Sequence, residues 1–255
     1  DSVRWGTSRT RSTTSGSIQE MASYLNNGYY EGTSRRWNLG LTGLAAKNGS
    51  LSVNMTGATN WNGTSTTDTD GITSERQDVA REAFKIYEQL LGINFIYTTS
   101  NSADIFITDN DTKSYSRSWR YTSQDPNIFT KNRINIPINW SNSSSSIGGG
   151  YTFQTFVHEI GHALGLGHQG DYNSSASFAL DATYANDSWD MSIMSYFNQE
   201  DNPNTSATKS YIPTLMSADV VALNDLYNTY AYGTNNSFTS DTVYGFNTNI
   251  SNITS

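Results

Sequence analysis

Apolar residues recur at intervals of three and four in several stretches of the chain, and this period predicts helices. The first such stretch, SIQEMASYLNNG, ends at Gly28. The strongest is SERQDVAREAFKIYEQLLG, in which Ser74 and Gln77 predict a capping box and Gly92 predicts the helix end. YTFQTFVHEIGHALG and LMSADVVALNDLYNTY carry two further helical patterns.

Short runs rich in β-branched and aromatic residues predict strands in LSVNMTG, INFIYTT, ADIFITD and RINIPINW. Pro137 predicts that the last is an edge or bulged strand, because proline has no N–H to donate. The stretch SYSRSWRYTSQDPNIF predicts a further short edge strand. There Trp119, Arg120 and Tyr121 either flank a binding cleft or are ordinary surface and core residues. Strands and one helix come first and two helices with long loops follow, which indicates an α+β fold.

The composition excludes several classes of protein. The 255 residues are 35% hydrophobic and carry a net charge of −8 without a basic patch, so nucleic acid is a poor partner. Cysteine is absent, which excludes disulfides and thiolate ligands. The sequence contains no run of about 18 apolar residues that would predict a transmembrane helix, so we expect no membrane partner. We also expect a monomer. The first residues lack the apolar stretch of a signal peptide, so we expect a cytosolic chain, a processed form, or export without such a signal.

All three histidines of the chain lie in the stretch HEIGHALGLGHQG, residues 158–170. At about 100° per residue, the apolar residues of this helix, Phe153 and Ile160 among them, fall on one face and predict its core side. His158 and His162 fall roughly opposite that face and stack one turn apart. A core histidine would point the other way, whereas two imidazoles at this spacing can bind one metal ion.

His168 can join them only if the helix ends. A continued helix would carry it roughly 9 Å beyond His162, whereas zinc–nitrogen bonds are about 2.0–2.1 Å long. The chain must therefore turn, and Gly165 is placed to turn it, because glycine adopts positive φ at helix ends. The alternative, a buried helix that tolerates glycine, leaves the position of His168 unexplained. Three imidazoles leave the fourth position of zinc open, which is typical of catalytic sites.

Glu159 follows the first of these histidines and lies at the edge of the histidine face. It is offset from the metal position, so we expect it to contact a zinc-bound water as a general base and not to be a ligand. The alternative is a solvated carboxylate on a helix surface. These residues predict zinc-assisted hydrolysis but do not identify the type of bond that is cleaved.

The motif HExxHxxGxxH, followed by a methionine in SIMSYF, resembles the signature of the metzincin metallopeptidases. The segments YTFQTFVHEIGHALGLGHQGDYN, ANDSWDMSIMSYF, LMSADVVALNDLY and DTVYGF are similar to those of the serralysin type, over about residues 71–247. The resemblance implies a secreted, extracellular zinc endopeptidase that cleaves internal bonds of protein or peptide substrates. A zinc hydrolase of another amide bond and a catalytically silent zinc-binding or adhesion module remain alternatives.

The resemblance also implies a metzincin catalytic domain. A twisted mixed sheet and the zinc-site helix would form an N-terminal lobe, about residues 17–165, and a smaller, loop-rich C-terminal lobe with one long helix would follow over residues 166–232. Met194 would form a turn beneath the zinc as its hydrophobic base. Tyr196 would be a fifth zinc ligand at rest and would swing away to stabilise the oxyanion, with an ordinary core aromatic as the alternative.

Two features depart from the family. Gln169 follows the third histidine, where the family often has proline. The calcium-binding nonapeptide repeats of the family are absent, so we expect residues 233–255 to resemble the junction to such a domain in a truncated, processed or repeat-less form. Backbone groups between Phe238 and Thr242 match half of a family calcium site, which alone would bind Ca2+ weakly.

Other acidic residues carry weaker signals. Asp68, Asp70 and Gly71 lack the further acids of an EF-hand loop, which favours a turn. Calcium binding is an option for Asp109 and Asp111, but a solvated loop is the favoured interpretation.

Overall fold

A computed structural model describes residues 14–58, 68–120, 124–143 and 149–237. The helices in these ranges are α1 (Ile18–Ser23), continued by a π-helical segment (Tyr24–Gly28), α2 (Ser74–Leu91), α3 (Tyr151–Ala163), α4 (Phe178–Asp181), α5 (Ser217–Tyr227) and α6 (Thr234–Ser237). Two 3-10 segments cover Ile138–Ser143 and Asn228–Tyr230. None of the helices in the described ranges is long and apolar enough to cross a membrane.

Five strands form one mixed sheet, in the order β2-β1-β3-β5-β4. The strands are β1 (Ser50–Asn54), β2 (Asn94–Tyr97), β3 (Ile105–Thr108), β4 (Tyr115–Arg120) and β5 (Phe129–Asn135). The neighbouring pairs β2–β1, β1–β3 and β3–β5 are parallel. The pair β5–β4 is antiparallel, with Ser116 opposite Ile134. The edge strand β4 packs against α3. The α+β class is confirmed, and the sheet edge next to α3 is an antiparallel one.

The capping prediction for α2 is wrong by one residue. Thr73 is the N-cap, and its side chain accepts the backbone N–H of Arg76, so Ser74 lies inside the first turn. Two hydroxyl residues stand side by side here, and the helix begins after the earlier one. The predicted helix end is confirmed, because Gly92 follows α2 with φ of 72°.

The segment with Pro137 was predicted to be an edge or bulged strand. The edge alternative is wrong, whereas the pairing of β5 with β4 does shift register, between Trp119 and Arg120. β5 lies between β3 and β4, inside the sheet, and ends at Asn135. The pairing with the β3 segment continues past β5, because the N–H of Ile136 donates to Thr108 O at 3.0 Å and the N–H of Ile138 donates to Asp109 O at 3.2 Å. Pro137 lies between these two donors, where a missing N–H removes no bond. The edge strand is instead β4, which the preceding aromatic stretch predicted; Tyr121 lies outside the described residues.

The main core joins α2, α3 and α5 to the sheet. Phe84 of α2, Phe156 of α3 and Leu223 of α5 are fully buried in one cluster. The Tyr87 hydroxyl donates to Val157 O at 2.6 Å and so ties α2 to α3. Full burial of such side chains stabilises the fold by about 1.5–3 kcal/mol each. α3 is therefore held firmly along its apolar face, which leaves its opposite face to present side chains.

The solvated-loop interpretation of Asp109 is wrong. Asp68 and Asp109 are only 4% and 7% exposed. Asp68 accepts the backbone N–H of Gly71 at 2.7 Å, and Gly71 has φ of 69°, so the predicted turn there is confirmed. The carboxylate of Asp109 lies 3.9 Å from Nε of Arg76 on α2. Burial raises the pKa of Asp109, and the charge of Arg76 opposes this rise. Arg76 thus supplies the positive charge beside Asp109, a partner that the sequence pattern did not predict.

Candidate active site

α3 carries the first two histidines on the face that points away from the core. Phe153, Phe156 and Ile160 are at most 1% exposed. His158 and His162 are half-buried, and their ring centroids lie 4.7 Å apart at an interplanar angle of 89°. The helical spacing therefore produces two neighbouring imidazoles outside the core.

The end of α3 depends on Gly165. The N–H groups of Gly165 and Leu166 donate back to the last turn of α3, both at 3.0 Å, in the Schellman pattern. Gly165 has φ of 108°, and a Cβ at this position would overlap the carbonyl oxygen of Arg35. The turn reverses the chain and returns His168 to the two histidines on α3.

Two buried side chains bind the last carbonyl groups of α3. Trp37 Nε1 donates to Ala163 O at 2.8 Å, and the Tyr227 hydroxyl donates to Leu164 O at 2.7 Å. Terminal helix carbonyls lack a partner within the helix, and a buried one left unpaired costs about 1–3 kcal/mol. An N-terminal loop and α5 thus hold the helix end from which the metal loop departs.

Each histidine binds a backbone carbonyl through Nδ1, at 2.7–2.8 Å. The pairs are His158 with Ile193 O, His162 with Leu166 O, and His168 with Tyr172 O. A carbonyl oxygen only accepts, so each Nδ1 carries the ring proton and each Nε2 keeps its lone pair. Partners of this kind fix the tautomer and the ring orientation of metal-binding histidines.

The three lone pairs converge. One ring nitrogen from each histidine lies within 4.8 Å of the others, and His162 Nε2 lies 2.9 Å from His168 Nε2. Two facing lone pairs repel unless a cation lies between them. Burial lowers the pKa of His162 to about 3 and holds the pKa of His168 well below its ordinary 6.5, so a proton is not that cation near neutral pH. Nitrogens bound tetrahedrally to zinc lie about 3.3 Å apart, so this donor set fits zinc.

No other such group exists in the part of the chain that the structure describes. There the three histidines alone form a set of three or more His, Cys, Asp or Glu side chains close enough to share a metal ion. The predicted calcium half-site, between positions 238 and 242, lies outside the described residues.

Glu159 is buried beside this site and is not a solvated carboxylate. It is 5% exposed, and its Oε2 has no hydrogen-bond partner. Burial raises the pKa of Glu159 to about 8, while a hydrogen bond with the hydroxyl of Ser114 opposes that rise. A cation in the neighbouring histidine site would also favour the charged form. The carboxyl group can therefore exchange a proton in the neutral pH range.

Met194 lies against α3 directly behind the histidines. It is fully buried, and a Cβ at Gly161 would come within 2.7 Å of its sulfur. Gly161, between His158 and His162, thus lets the methionine side chain contact the helix backbone. The turn around Met194 is bound to α5, because the buried Asp219 accepts the hydroxyl of Ser192 at 2.6 Å and the N–H of Ile193 at 2.8 Å. Ile193 is the residue whose carbonyl oxygen binds His158, so Asp219 supports that ring indirectly.

Tyr196 lies over the third histidine. Its ring centroid is 4.5 Å from that of His168 and 6.2 Å from that of His158. Its hydroxyl accepts the N–H of Ser174 at 3.4 Å, and Ser174 has φ of 91°. Burial raises the pKa of Tyr196 to about 12, so it keeps its proton and can donate a hydrogen bond near neutral pH.

A second buried carboxylate supports the loop around Tyr196. Asp187 is fully buried and accepts the hydroxyl of Ser195 at 2.6 Å and that of Tyr172 at 3.1 Å. Tyr172 supplies the carbonyl oxygen that binds His168. Asp187 therefore links the residue beside Tyr196 to the third histidine.

Gln169, at the position where proline was expected, has a structural contact. Its side chain is fully buried, and its Nε2 donates to Met21 O at 3.2 Å. Trp119 and Arg120 on β4 also have structural contacts: Trp119 packs against the small cluster around Phe106, and Arg120 donates to Pro126 O at 2.8 Å. These contacts favour the structural alternative for both residues.

Sequence reasoning missed Ser114, Gly161, Asp187 and Asp219. An acid in the first turn of α5 was a signal for Asp219, since such residues bind helix N-terminal N–H groups. Ser114 and Asp187 had no local signal, because each contacts its partner through the fold.

The chain matches the family described as "Metallo-peptidase family M12B Reprolysin-like" over residues 131–224, from β5 to α5. It is 34% identical over 191 residues to a serralysin of Photorhabdus sp. (strain Az29), which covers 69% of this chain and 36% of the relative. It is 44% identical over 102 residues to serralysin C of Dickeya chrysanthemi, and 42% identical over 107 residues to the metalloprotease AprA of Pseudomonas entomophila (strain L48).

The two shorter matches cover 39% and 40% of this chain and 20% and 21% of those relatives. The chain thus spans roughly a third or less of the length of the curated relatives that it matches.

Proposed function

The chain belongs to the serralysin type of metzincins, and from this premise we propose that it is a zinc-dependent endopeptidase that hydrolyses internal peptide bonds. The observation that carries the proposal is the set of three histidines whose Nδ1 atoms are all bound to carbonyl groups. Three neutral donors on one side leave room for substrate and water on the other.

His158, His162 and His168 are the proposed zinc ligands. When bound there, zinc supplies Lewis acidity, which polarises the carbonyl of the scissile bond and makes water a stronger acid. The buried carbonyl partners Ile193 and Tyr172 hold two of the rings in the orientation that binding requires.

Glu159 is the proposed general base. Its unpartnered, buried Oε2 is available to take a proton from the attacking water. The same carboxyl group then gives a proton to the leaving amine. A hydrogen bond from the hydroxyl of Ser114 favours the charged form of this carboxyl group.

Tyr196 is the proposed donor to the tetrahedral oxyanion. A phenol donor is useful there because the negative charge on the carbonyl oxygen develops only as the reaction proceeds. The ring lies against His168, and Ser174 offers its hydroxyl a weak, long hydrogen bond that rotation can replace. We further propose that Tyr196 is a zinc ligand at rest, as the family resemblance implies.

The substrate of this reaction is an extended peptide along β4. β4 is the edge strand that packs against α3, and an edge strand offers unpaired backbone groups to a further strand. Substrate backbone hydrogen bonds to β4 would lay the scissile bond across the histidine face.

The remaining parts of the proposal rest on the sequence resemblance to the family. Residues 17–165 and 166–232 are lobes of one catalytic domain, which acts as a monomer outside the cell. Residues 233–255 resemble the junction to a calcium-binding domain, and the weak Ca2+ half-site would lie there.

Chelator-sensitive proteolysis tests the proposal. The zinc-loaded chain is incubated with an unfolded protein mixture, with and without a chelator, and new peptide termini are identified by mass spectrometry. We expect new internal termini that disappear with the chelator and return with added zinc. Cleavage that ignores the chelator, or no cleavage, contradicts the proposal, and chelator-sensitive release of another amide product favours the rival hydrolase.

Two variants test the roles. Glu159→Gln should lower kcat by about 10²–10⁴-fold while zinc still binds, and Glu75→Gln, the same change at an exposed site on α2, should have no effect. Tyr196→Phe should lower kcat by about 10²–10³-fold with a small change in KM. Full activity of Glu159→Gln with bound zinc would show that another group is the base.

A further inference from the structure

The segment that follows the start of α1 lies against the loop that carries the third histidine. We call this segment, residues 21–30, the N-terminal clamp; it contains the end of α1 and the π-helical turn. That loop is residues 165–169, and it begins with the Schellman turn at the end of α3. The two segments are more than a hundred positions apart in the chain, so only the fold brings them together.

The clamp binds the residues on both sides of His168, one through its backbone and one through its side chain. The N–H of Gly167 donates to Leu25 O at 2.8 Å. Gln169 Nε2 donates to Met21 O at 3.2 Å, and the Gln169 side chain is fully buried. The residues immediately before and after the third histidine are therefore both bound to the clamp.

The clamp also reaches a second histidine. The hydroxyl of Tyr30 donates to Leu166 O at 2.9 Å. The same carbonyl oxygen accepts the Nδ1–H of His162 at 2.7 Å. Tyr30 thus helps to fix the acceptor that orients His162.

Tyr29 makes the contact with the third histidine itself. Its ring centroid is 5.1 Å from that of His168 at an interplanar angle of 78°, an edge-to-face arrangement. A Cβ at Gly167 would overlap the ring of Tyr29, so glycine at this position is what allows the ring to approach. His168 is only 4% exposed, whereas His158 and His162 are half-buried.

The third ligand needs such support more than the other two. His158 and His162 are held by α3, whose residues are fixed by helical hydrogen bonds and by the core. His168 lies after α3, in a loop without regular secondary structure. Fixing the backbone of one residue costs about 1–2 kcal/mol of conformational entropy, and external contacts must offset this before metal binds.

We propose that the N-terminal clamp positions the third metal ligand, and that Tyr29 is its positioning residue at His168. The proposal rests on the metal site of the proposed function and not on the reaction. Under this proposal, the zinc affinity of the three-histidine site depends on Tyr29, which lies more than a hundred positions before those histidines in the chain.

Zinc affinity tests this inference directly. The full chain and the variants Tyr29→Ala, Tyr29→Phe and Tyr24→Ala are titrated with zinc against a competing chromogenic chelator. Tyr24 is the matched control: it lies in the same clamp, but its ring contacts Tyr184. We expect Tyr29→Ala to bind zinc about 10–100-fold more weakly, as substitutions behind metal ligands do. Tyr29→Phe keeps the ring and should stay within about twofold of the parent chain, as should Tyr24→Ala.

Two controls separate positioning from general destabilisation. The melting temperature with chelator present should fall similarly in Tyr29→Ala and Tyr24→Ala, so that only zinc affinity distinguishes them. If Tyr29→Ala does not fold, Gly167→Ala serves instead, because the added Cβ displaces the same ring. Equal zinc affinity of Tyr29→Ala and Tyr24→Ala overturns the proposal. The zinc titration involves no peptide cleavage, so its result can contradict the clamp proposal without bearing on the protease proposal.

Discussion

Gly165→Ala probes the turn that brings the third histidine to α3. A φ of 108° is a conformation that side chains rarely adopt, and holding one there costs about 1–3 kcal/mol. The new Cβ would also overlap the carbonyl oxygen of Arg35, which only backbone movement can relieve. Overpacking of this kind costs a further ~1–3 kcal/mol. Reduced freedom of the unfolded chain returns only about 0.4–1 kcal/mol. We therefore expect a loss of about 2–4 kcal/mol in the free energy of unfolding.

Urea unfolding with chelator present measures this loss without any contribution from metal. Gly32→Ala is the matched control, because Gly32 has φ of 87° but nothing within 4 Å of the added Cβ. It should show the backbone strain alone, about 1–2 kcal/mol. Zinc affinity should also fall in Gly165→Ala, since the loop must move. Equal losses in the two glycine variants would refute the claim that the carbonyl oxygen of Arg35 leaves no room for a side chain at position 165.

Two further predictions concern charged groups around the site. Ser114→Ala removes a hydrogen bond that favours the charged form of Glu159, so the pKa of Glu159 should rise. The acidic limb of the pH–kcat profile should then move to higher pH. A limb that does not move contradicts the contact between Ser114 and Glu159. Burial raises the pKa of Asp219 from its ordinary 3.8 to about 6, so the folded state holds this proton more tightly and stability should fall as pH rises from about 4 to 6. Asp219→Asn should lack this pH dependence, but it should be less stable at pH 7 by about 1–3 kcal/mol, because one amide oxygen cannot accept from Ser192, Ile193 and Met216 together. Urea unfolding between pH 4 and 7 checks both parts, and an unchanged slope in the variant would mean that another group titrates.

Most helices and strands of this protein follow from local patterns. The apolar period of α3 predicted its core face, and Phe153 and Ile160 are buried as expected. Apart from the N-cap of α2, which is Thr73 and not Ser74, the wrong predictions were those that depended on neighbours in space. Pro137 suggested an edge or bulged strand, and the edge alternative failed because β5 ends before Pro137 and lies inside the sheet. Asp109 was predicted to lie in a solvated loop, but it is buried beside Arg76 of α2.

The sequence by itself determined the metal ligands that we propose and the need for a turn between them. Helical geometry fixes which way His158 and His162 point, and the length of a metal bond then requires a break before His168. These arguments involve residues within eleven positions of one another, so local geometry suffices.

Only the tertiary structure decided what holds those ligands. The carbonyl group that orients His158 comes from the turn at Ile193, which Asp219 of α5 binds in turn. The ring against His168 comes from Tyr29, close to the other end of the chain. Hydrogen bonds and ring contacts act over a few ångströms whatever the separation along the chain. A linear pattern therefore identifies the ligands, and the packing of distant segments around them determines how firmly they are positioned.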